Sequence, residues 1–203
     1  HQPEHFPWIN LFIKMLKCDK FIFLDNVQYL RRGFQNRNII GNNGRSFYIT
    51  VPIKYAPRET LIREIEIDNS KKWIEEHIKN LHNCYKKTKF FKNIIIILEN
   101  EYAKSYKYLN ELNQGLIKTL ANNMEIKCKF FSSSDLDVSG AKSDLIFNIC
   151  EKIGAHKYIT GTESANYLDE EKFKKNKIEI MYLKKKEMNY PQKNSEKHFI
   201  KDL

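Results

Sequence analysis

The residues with the clearest chemical potential lie in the stretch 135–143, which reads DLDVSGAKS. It follows a short apolar segment with strand character and precedes a helical pattern. A loop with Ser139, Gly140 and Lys142 at a helix start offers backbone N–H groups to an anion. An ordinary helix N-cap by Ser139 or Ser143 would explain the same residues without a ligand. We predict that Ser139, Gly140 and Lys142 bind a phosphate group.

A second glycine-containing turn follows the apolar segment 158–160. Gly161 allows a ligand to approach the backbone closely, because it has no Cβ atom. A plain turn between a strand and a helix explains this segment when it is taken alone. We predict Gly161 as a further phosphate contact, and Tyr167 and Asp169 as substrate contacts on the far side of the site.

The N-terminal residues place two imidazoles, His1 and His5, ahead of Pro7, which is typical of a helix start. The pair resembles the His-x-x-His phosphate-contacting motifs of nucleotidylyltransferases only loosely, since the spacing differs by one residue. No further Cys or His ligands accompany the pair, so no metal site is predicted. We predict His1 as a catalytic general base and leave His5 undecided.

Asp25 ends the apolar segment 21–24, and a dense group of guanidinium and amide side chains follows at 31–38. Arginine suits phosphate or carboxylate, and glutamine and asparagine suit hydroxyl groups. A solvated loop anchored by Phe34 is the alternative. We predict Asp25 as the alternative to His1 for the catalytic general base. The predicted substrate contacts in this part of the chain are Gln2, Gln28, Gln35, Asn36, Arg37 and Asn38.

Secondary structure must bring these residues to one place. Helices are predicted at 8–16, from the cap at 68–70 to about 82, and at 90–102, 106–121, 142–153 and 168–175. Strands are predicted at 21–24, 46–53, 64–67, 128–131, 157–160 and 178–182, with a turn at 41–44.

The alternation of strands and helices after residue 127 predicts the fold class. We expect an α/β protein with a mainly parallel sheet and helices on both faces, Rossmann-like, with an antiparallel strand pair and a helical insertion. Ligands of such sheets bind beyond the carboxyl ends of the strands. The loops at Asp25, 132–139 and 161–166 should therefore converge.

Composition limits the class of protein. A chain of 203 residues with 41% hydrophobic residues can bury one core, so we expect a single domain over 1–203. The net charge of +10 favours phosphate-bearing partners.

Apolar runs are too short for a membrane span, and no secretory signal is present. Four cysteines without a C-x-x-C pair favour a reducing cytoplasm. Aromatic residues among the lysines fall at helical spacing, so no nucleic-acid partner is expected.

The motifs that carry a family resemblance are spread in order over nearly the whole chain: His1-Gln2-Pro3, Pro7-Trp8, 24–29, 35–38, 133–136, 138–140, Lys142, Ile149-Cys150, Gly154-Ala155, Tyr158, Gly161 and 167–169. Together they resemble the WbqC-like family. The resemblance implies a bacterial protein encoded among genes for O-antigen, capsule and other surface glycans. It also implies that the family pattern extends beyond both ends of this sequence.

The predicted function is group transfer to an amino sugar, nucleotide-activated or lipid-linked, in lipopolysaccharide and O-antigen biosynthesis. Transfer of an acyl or aminoacyl group is the first choice, which makes the protein a transferase with a small phosphate-bearing substrate. The alternative is a noncatalytic nucleotide- or glycan-binding module of the same pathway. No residue pattern identifies a cofactor or an oligomeric state.

Overall fold

A computed structural model describes residues 1–42 and 45–184. In chain order its elements are α1 (Ile9–Met15), β1 (Lys20–Phe23), β2 (Arg37–Asn42), β3 (Arg45–Thr50), α2 (Trp73–Tyr85), α3 (Phe91–Tyr102), α4 (Leu109–Asn123), β4 (Lys129–Ser132), α5 (Lys142–Lys152), β5 (Lys157–Gly161), α6 (Glu170–Lys175) and β6 (Glu179–Leu183). Part of the turn predicted at 41–44 lies outside the described residues.

The chain is organised as two compact units. The first contains His1, residues 9–24 and, within the described part, residues 126–184. The second contains residues 2–8 and 25–125. A single domain over 1–203 stays a prediction.

Parallel strand pairs form the first unit. β1 pairs with β4 from Lys20↔Lys129 to Phe23↔Ser132, and β5 pairs with β6 in the same parallel sense. The helix α6 joins β5 to β6, as the parallel direction requires. Beneath this second pair, the fully buried Phe173 lies with its ring centroid 5.5 Å from that of Phe147. Both β4 and β5 lead directly into a short 3₁₀ helix, at Ser133–Leu136 and Thr162–Asn166.

An antiparallel pair and three consecutive helices form the second unit. β2 pairs with β3 from Arg37↔Thr50 to Asn42↔Arg45, and α2, α3 and α4 follow. Their buried faces share a core of isoleucine, leucine and aromatic side chains. The Trp73 ring packs edge-on against His77 and Tyr102, at centroid distances of 5.0 and 5.1 Å.

The structure confirms an α/β fold with parallel and antiparallel strand pairs and a helical insertion, formed by α2 to α4. Within the described residues the strands form three separate two-stranded sheets. The predicted strand at 64–67 is wrong as a strand. Residues 62–64 form a 3₁₀ helix, and Ile67 enters only an isolated bridge with Ile53. Its alternating pattern reflects burial, because Ile65 and Ile67 are both in the core.

The partner of β3 is β2, and this strand begins inside the segment that the sequence predicted to be a recognition loop. Ile39 and Ile40 explain the difference, because β-branched side chains favour strands. Ile40 is buried in the core of the second unit, opposite Phe47 in the register. The tertiary core therefore decided the conformation of this segment.

Candidate functional site

A buried carboxylate lies at one end of a polar row in the second unit. Asp25 is 2% exposed, and its Oδ2 accepts a hydrogen bond from Asn110 Nδ2 at 3.3 Å. Asn110 Oδ1 accepts from Gln114 Nε2 at 3.0 Å, and Gln114 Oε1 accepts from Lys118 Nζ at 3.0 Å. The three donors are four residues apart on α4 and so share one face of that helix. This arrangement aims an amide N–H at Asp25 and places a cation at the far end of the row.

A second amide on α4 fixes the N-terminal segment. Asn113 is fully buried, and its Nδ2 donates to the carbonyl oxygens of Pro3 at 3.1 Å and Gln35 at 2.7 Å. Both of its amide hydrogens are thereby used. Its Oδ1 lies 3.2 Å from His5 Nδ1 and must accept from that ring nitrogen. His5 is therefore the tautomer with its proton on Nδ1.

Two buried imidazoles lie side by side, with ring centroids of His5 and His77 5.6 Å apart. Burial and the neighbouring His77 lower the pKa of His5 to about 3, and burial lowers the pKa of His77 to about 4. His77 Nε2 lies 3.0 Å from the carbonyl oxygen of Thr50 and so carries the proton, while Nδ1 accepts from the Tyr102 hydroxyl at 3.1 Å. Both rings are neutral at pH 7. His5 Nε2 is a buried acceptor without a hydrogen-bond partner in the described chain.

Several predicted substrate contacts form hydrogen bonds within the second unit. Gln35 is 2% exposed, its Oε1 accepts from the Leu30 N–H at 3.0 Å, and its Nε2 donates to Gln2 Oε1 at 2.7 Å. Gln28 is exposed, and its Nε2 donates to the Arg58 carbonyl at 2.7 Å. Gln35 thus positions the backbone at Leu30 and holds the Gln2 side chain, and Gln28 remains accessible.

Two asparagines in the same segment also position backbone. Asn36 Nδ2 donates to the Val51 carbonyl at 3.0 Å. Asn38 Nδ2 donates to the carbonyls of His5, at 3.2 Å, and Phe6. Phe6 has a φ of 49°, in the left-handed region that non-glycine residues rarely adopt. The Asn38 amide therefore stabilises an uncommon bend of the N-terminal segment.

The predicted phosphate loop precedes α5 in the first unit, and Ser139, Gly140 and Lys142 are all exposed. Gly140 has a φ of 128°, and a Cβ atom there would lie 3.0 Å from the Leu145 nitrogen. The N-cap of α5 is Ala141, which has no side-chain oxygen. The alternative in which Ser139 or Ser143 caps this helix is therefore wrong.

Ser143 has a different role. Its Oγ accepts from the Asp169 N–H at 2.9 Å and so holds the start of α6 beside the start of α5. Asp169 is the N-cap of α6, because its Oδ1 accepts from the Lys172 N–H at 3.1 Å. Lys172 Nζ in turn pairs with Asp144 Oδ1 at 2.7 Å. The structure thus brings Asp169 close to the predicted phosphate loop and also gives it a capping role.

A chain of hydroxyl groups follows β5. Tyr158 donates to Thr160 Oγ1 at 3.3 Å, Thr160 and Ser164 oxygens lie 2.6 Å apart, and Tyr167 donates to Ser164 Oγ at 3.3 Å. Tyr167 is 46% exposed, so the chain runs from the interior to the surface. At the adjacent Gly161, a Cβ atom would lie 3.1 Å from Glu163 Oε2, so a side chain of the same loop lies against this glycine, and its contact with a ligand stays a prediction.

His1 lies beside β1 in the first unit. Its backbone nitrogen donates to the Ile22 carbonyl at 2.8 Å, and its carbonyl accepts from the Leu24 N–H at 2.9 Å. This hydrogen-bond pattern is the one a neighbouring parallel strand makes. It places His1 at the carboxyl end of β1.

The structure thus groups the predicted residues by unit. His1, Ser139, Gly140, Lys142, Gly161, Tyr167 and Asp169 belong to the first unit, and Gln2, Asp25, Gln28, Gln35, Asn36, Arg37 and Asn38 belong to the second. Convergence of all three predicted loops stays a prediction.

Three buried amides of α4 were not predicted as functional residues from the sequence: Asn110, Asn113 and Gln114. The sequence does indicate their burial, because these amides alternate with leucines in a helix whose residues are buried on most sides. Polar side chains at such positions need partners.

The described part of the chain holds neither a cluster of metal ligands nor a membrane-spanning helix. No group of three or more His, Cys, Asp or Glu residues there could hold a metal ion. No described helix combines the length and the apolar character needed to cross a membrane.

These features define an α/β protein with a buried, oriented carboxylate in one unit and an exposed glycine loop before a helix in the other. The chain belongs to the WbqC-like protein family, whose model matches residues 2–203. It is similar to the uncharacterized protein Rv1507c of Mycobacterium tuberculosis (strain ATCC 25618 / H37Rv). The two are 28% identical over 187 residues, which cover 89% of this chain and 79% of that protein. No solved structure matches the chain.

Proposed function

We propose that this protein is a group-transfer enzyme of bacterial surface-polysaccharide biosynthesis that acts on an amino sugar bearing a nucleotide or another phosphate group. The observation that carries the proposal is the buried Asp25 carboxylate oriented by Asn110 and the row behind it. Family membership supports the pathway, since the resemblance implies a link with O-antigen and capsule genes.

Asp25 is the proposed general base for the acceptor. As the acceptor nitrogen or oxygen bonds to the acyl or aminoacyl carbon, the bond from that carbon to its leaving group breaks. The acceptor proton passes to a carboxylate oxygen of Asp25. Asn110 holds the carboxylate in one orientation, and Lys118 polarises the amides between them. His1 is the second candidate for this role.

The loop before α5 is the proposed phosphate contact. Exposed Ser139, Gly140 and Lys142 offer a hydroxyl, a backbone without a Cβ atom and an ammonium group to an anion. Gly161, Tyr167 and Asp169 belong to the same unit and would contact the rest of that ligand.

We also propose that the parallel pairs belong to a Rossmann-like arrangement. Support comes from the repeated order of strand, 3₁₀ helix and α-helix after β4 and after β5. A cytoplasmic location fits this function, and the four cysteines Cys18, Cys84, Cys128 and Cys150 are free thiols.

The test replaces Asp25 with asparagine, which keeps the shape of the side chain and removes its basicity. Acyl-CoA species, or ATP with amino acids, are offered as donors to a panel of nucleotide-linked amino sugars, and mass spectrometry detects the product. We expect Asp25→Asn to lower kcat/KM by about 10²-fold or more. The matched control is Asp19→Asn, which alters an exposed carboxylate and leaves turnover unchanged.

Full activity of Asp25→Asn would exclude Asp25 as the base and direct the test to His1. A wild-type chain that binds nucleotide sugars without turnover with any donor would favour the binding module.

A further inference from the structure

The turn between α2 and α3, in the second unit, carries several lysines and no carboxylate. Lys86, Lys87, Lys89 and Lys92 are all exposed, and none takes part in an ion pair within the described chain. No acidic residue occurs anywhere in residues 77–98. Positive charge of this density without neutralising neighbours favours contact with an anionic surface.

Apolar side chains at the same turn are exposed to solvent. Phe90 is 64% exposed, and Ile94 and Ile96 are 38% and 56% exposed. The Ile94 N–H donates to the Phe90 carbonyl at 3.2 Å, so these two side chains lie one turn apart on the same face of α3. Lys89 Nζ lies 5.1 Å from the centroid of the Phe90 ring and so places a charge directly beside this face. Exposed apolar groups bordered by charged ones are typical of an interaction surface.

Helix stability explains only part of this composition. Lys86 and Lys87 follow the last residue of α2, where the negative end of the helix dipole favours a cation. Lys89 and Lys92 lie at the start of α3, where the positive end of the dipole disfavours them, and no acidic residue occupies that first turn. Phe90 is the N-cap of α3, a position at which a short polar side chain stabilises a helix and an aromatic one does not. Residues that break local rules without a gain in stability favour a binding role.

We propose that the turn between α2 and α3 docks on the surface of an anionic phospholipid bilayer. The lysine ammonium groups contact the phosphates of the lipid headgroups. Phe90 and Ile94 enter the boundary between the headgroups and the acyl chains. Charge and apolar contact together supply the two signals that peripheral binding to a membrane needs.

The side-chain types favour a bilayer over other polyanions. Residues 86–94 contain no arginine, the residue best suited to bidentate contact with a carboxylate or a nucleic-acid phosphate. Nucleic-acid bases stack on aromatic side chains, so Ile94 and Ile96 would have no role against them. Lysine extends its aliphatic stem over apolar surface while its charge reaches the headgroups.

The experiment measures sedimentation of the full chain with two kinds of vesicle, phosphatidylglycerol with phosphatidylcholine in equal amounts, and phosphatidylcholine alone. We expect binding to the anionic vesicles, weakened by added salt, and little binding to the neutral ones. The triple variant Lys86→Gln, Lys89→Gln, Lys92→Gln should lower the affinity for anionic vesicles about 10-fold or more. Phe90→Gln should lower it about 3-fold or more.

Two controls separate this turn from general properties of the chain. The triple variant Lys174→Gln, Lys175→Gln, Lys177→Gln removes the same amount of charge from exposed lysines in and after α6, and it should bind anionic vesicles like the wild type. Leu16→Gln removes another apolar side chain, 67% exposed, and should also bind like the wild type.

Thermal unfolding separates binding from folding. Lys89→Gln and Lys92→Gln remove charges that the α3 dipole disfavours, so the first triple variant should melt at the wild-type temperature or above it. Phe90→Gln alters a mostly exposed side chain and should melt near the wild-type temperature. Weaker vesicle binding by such folded variants supports docking through this turn.

Absence of wild-type binding to anionic vesicles would overturn the bilayer as the partner. An equal loss in both triple variants would also overturn it, because net charge alone would then explain binding, and so would wild-type affinity in Phe90→Gln. Tighter binding of poly-glutamate or single-stranded DNA than of anionic vesicles would instead assign the turn to an acidic protein or a nucleic acid. Docking is independent of the proposed function, so Asp25→Asn should bind vesicles like the wild type.

Discussion

At the scale of single residues, the function of a side-chain amide depends on which acceptor its N–H groups donate to. Gln35, Asn36 and Asn38 looked like ligand contacts in the sequence, yet their side chains bond to backbone or to Gln2 in the structure. Arg37, in the same segment, has a buried Nε without a hydrogen-bond partner among the residues that the structure describes. Contact of these four side chains with a ligand therefore stays a prediction.

Replacing Asn113 with leucine should destabilise the second unit. The leucine has a similar volume, but the carbonyls of Pro3 and Gln35 and the His5 Nδ1–H would lose their partner in a buried place. We expect the free energy of unfolding to fall by about 2–5 kcal/mol, measured by urea unfolding. The control Asn122→Leu changes an exposed residue of the same helix and should cost about 0.5 kcal/mol or less. An equally small effect of Asn113→Leu would show that these hydrogen bonds contribute little.

At the scale of elements, α4 supports both the polar row and a buried carboxylate on its other side. Glu101 accepts from Lys104 Nζ at 2.6 Å, Thr119 Oγ1 at 2.6 Å and Tyr106 Oη at 2.8 Å. Burial would raise the pKa of Glu101, but these hydrogen bonds outweigh it and the pKa is lowered. Gly115 leaves the space that this cluster occupies. A Cβ atom there would lie 2.4 Å from Tyr106 Oη.

Gly115→Ala should therefore destabilise the protein, although alanine favours a helix by about 1 kcal/mol over glycine. The new methyl group would push Tyr106 away from Glu101, at a net cost of about 1–3 kcal/mol in thermal or urea unfolding. In a Tyr106→Phe background the same substitution should cost less, because the closest atom is gone. An increase in stability in Gly115→Ala would mean that Tyr106 and Glu101 move away from the new methyl group at little cost in free energy.

At the scale of the whole molecule, the two neutral imidazoles make stability depend on pH. The pKa values of His5 and His77, about 3 and about 4, lie below the value of about 6.5 expected in the unfolded chain. As the pH falls below 6.5, the unfolded state binds protons that the folded state does not. The stabilisation is complete above pH 6.5 and decreases down to about pH 4 for His77 and about pH 3 for His5.

We expect the free energy of unfolding to fall by about 1.4 kcal/mol per pH unit for each histidine between pH 6 and 4.5. Urea unfolding at several pH values measures this slope. His77→Gln can keep both hydrogen bonds of the imidazole and should reduce the slope by about half. An unchanged slope would assign the pH dependence to other groups. The carboxylates with lowered pKa, Glu66, Asp68 and Glu101, act mainly below this range.

The sequence by itself determined the helices, the strand at 46–50, the four strands that became parallel pairs, the family and the glycine loop before α5. These features depend on local periodicity, turn residues and motif spacing, which neighbouring residues specify. Only the tertiary structure decided that Arg37–Asn42 is a strand and that Asn110, Asn113 and Gln114 take part in hydrogen bonds with buried groups. A hydrogen bond depends on which groups, far apart in the sequence, come into contact in the fold. The order of residues along the chain does not specify those contacts.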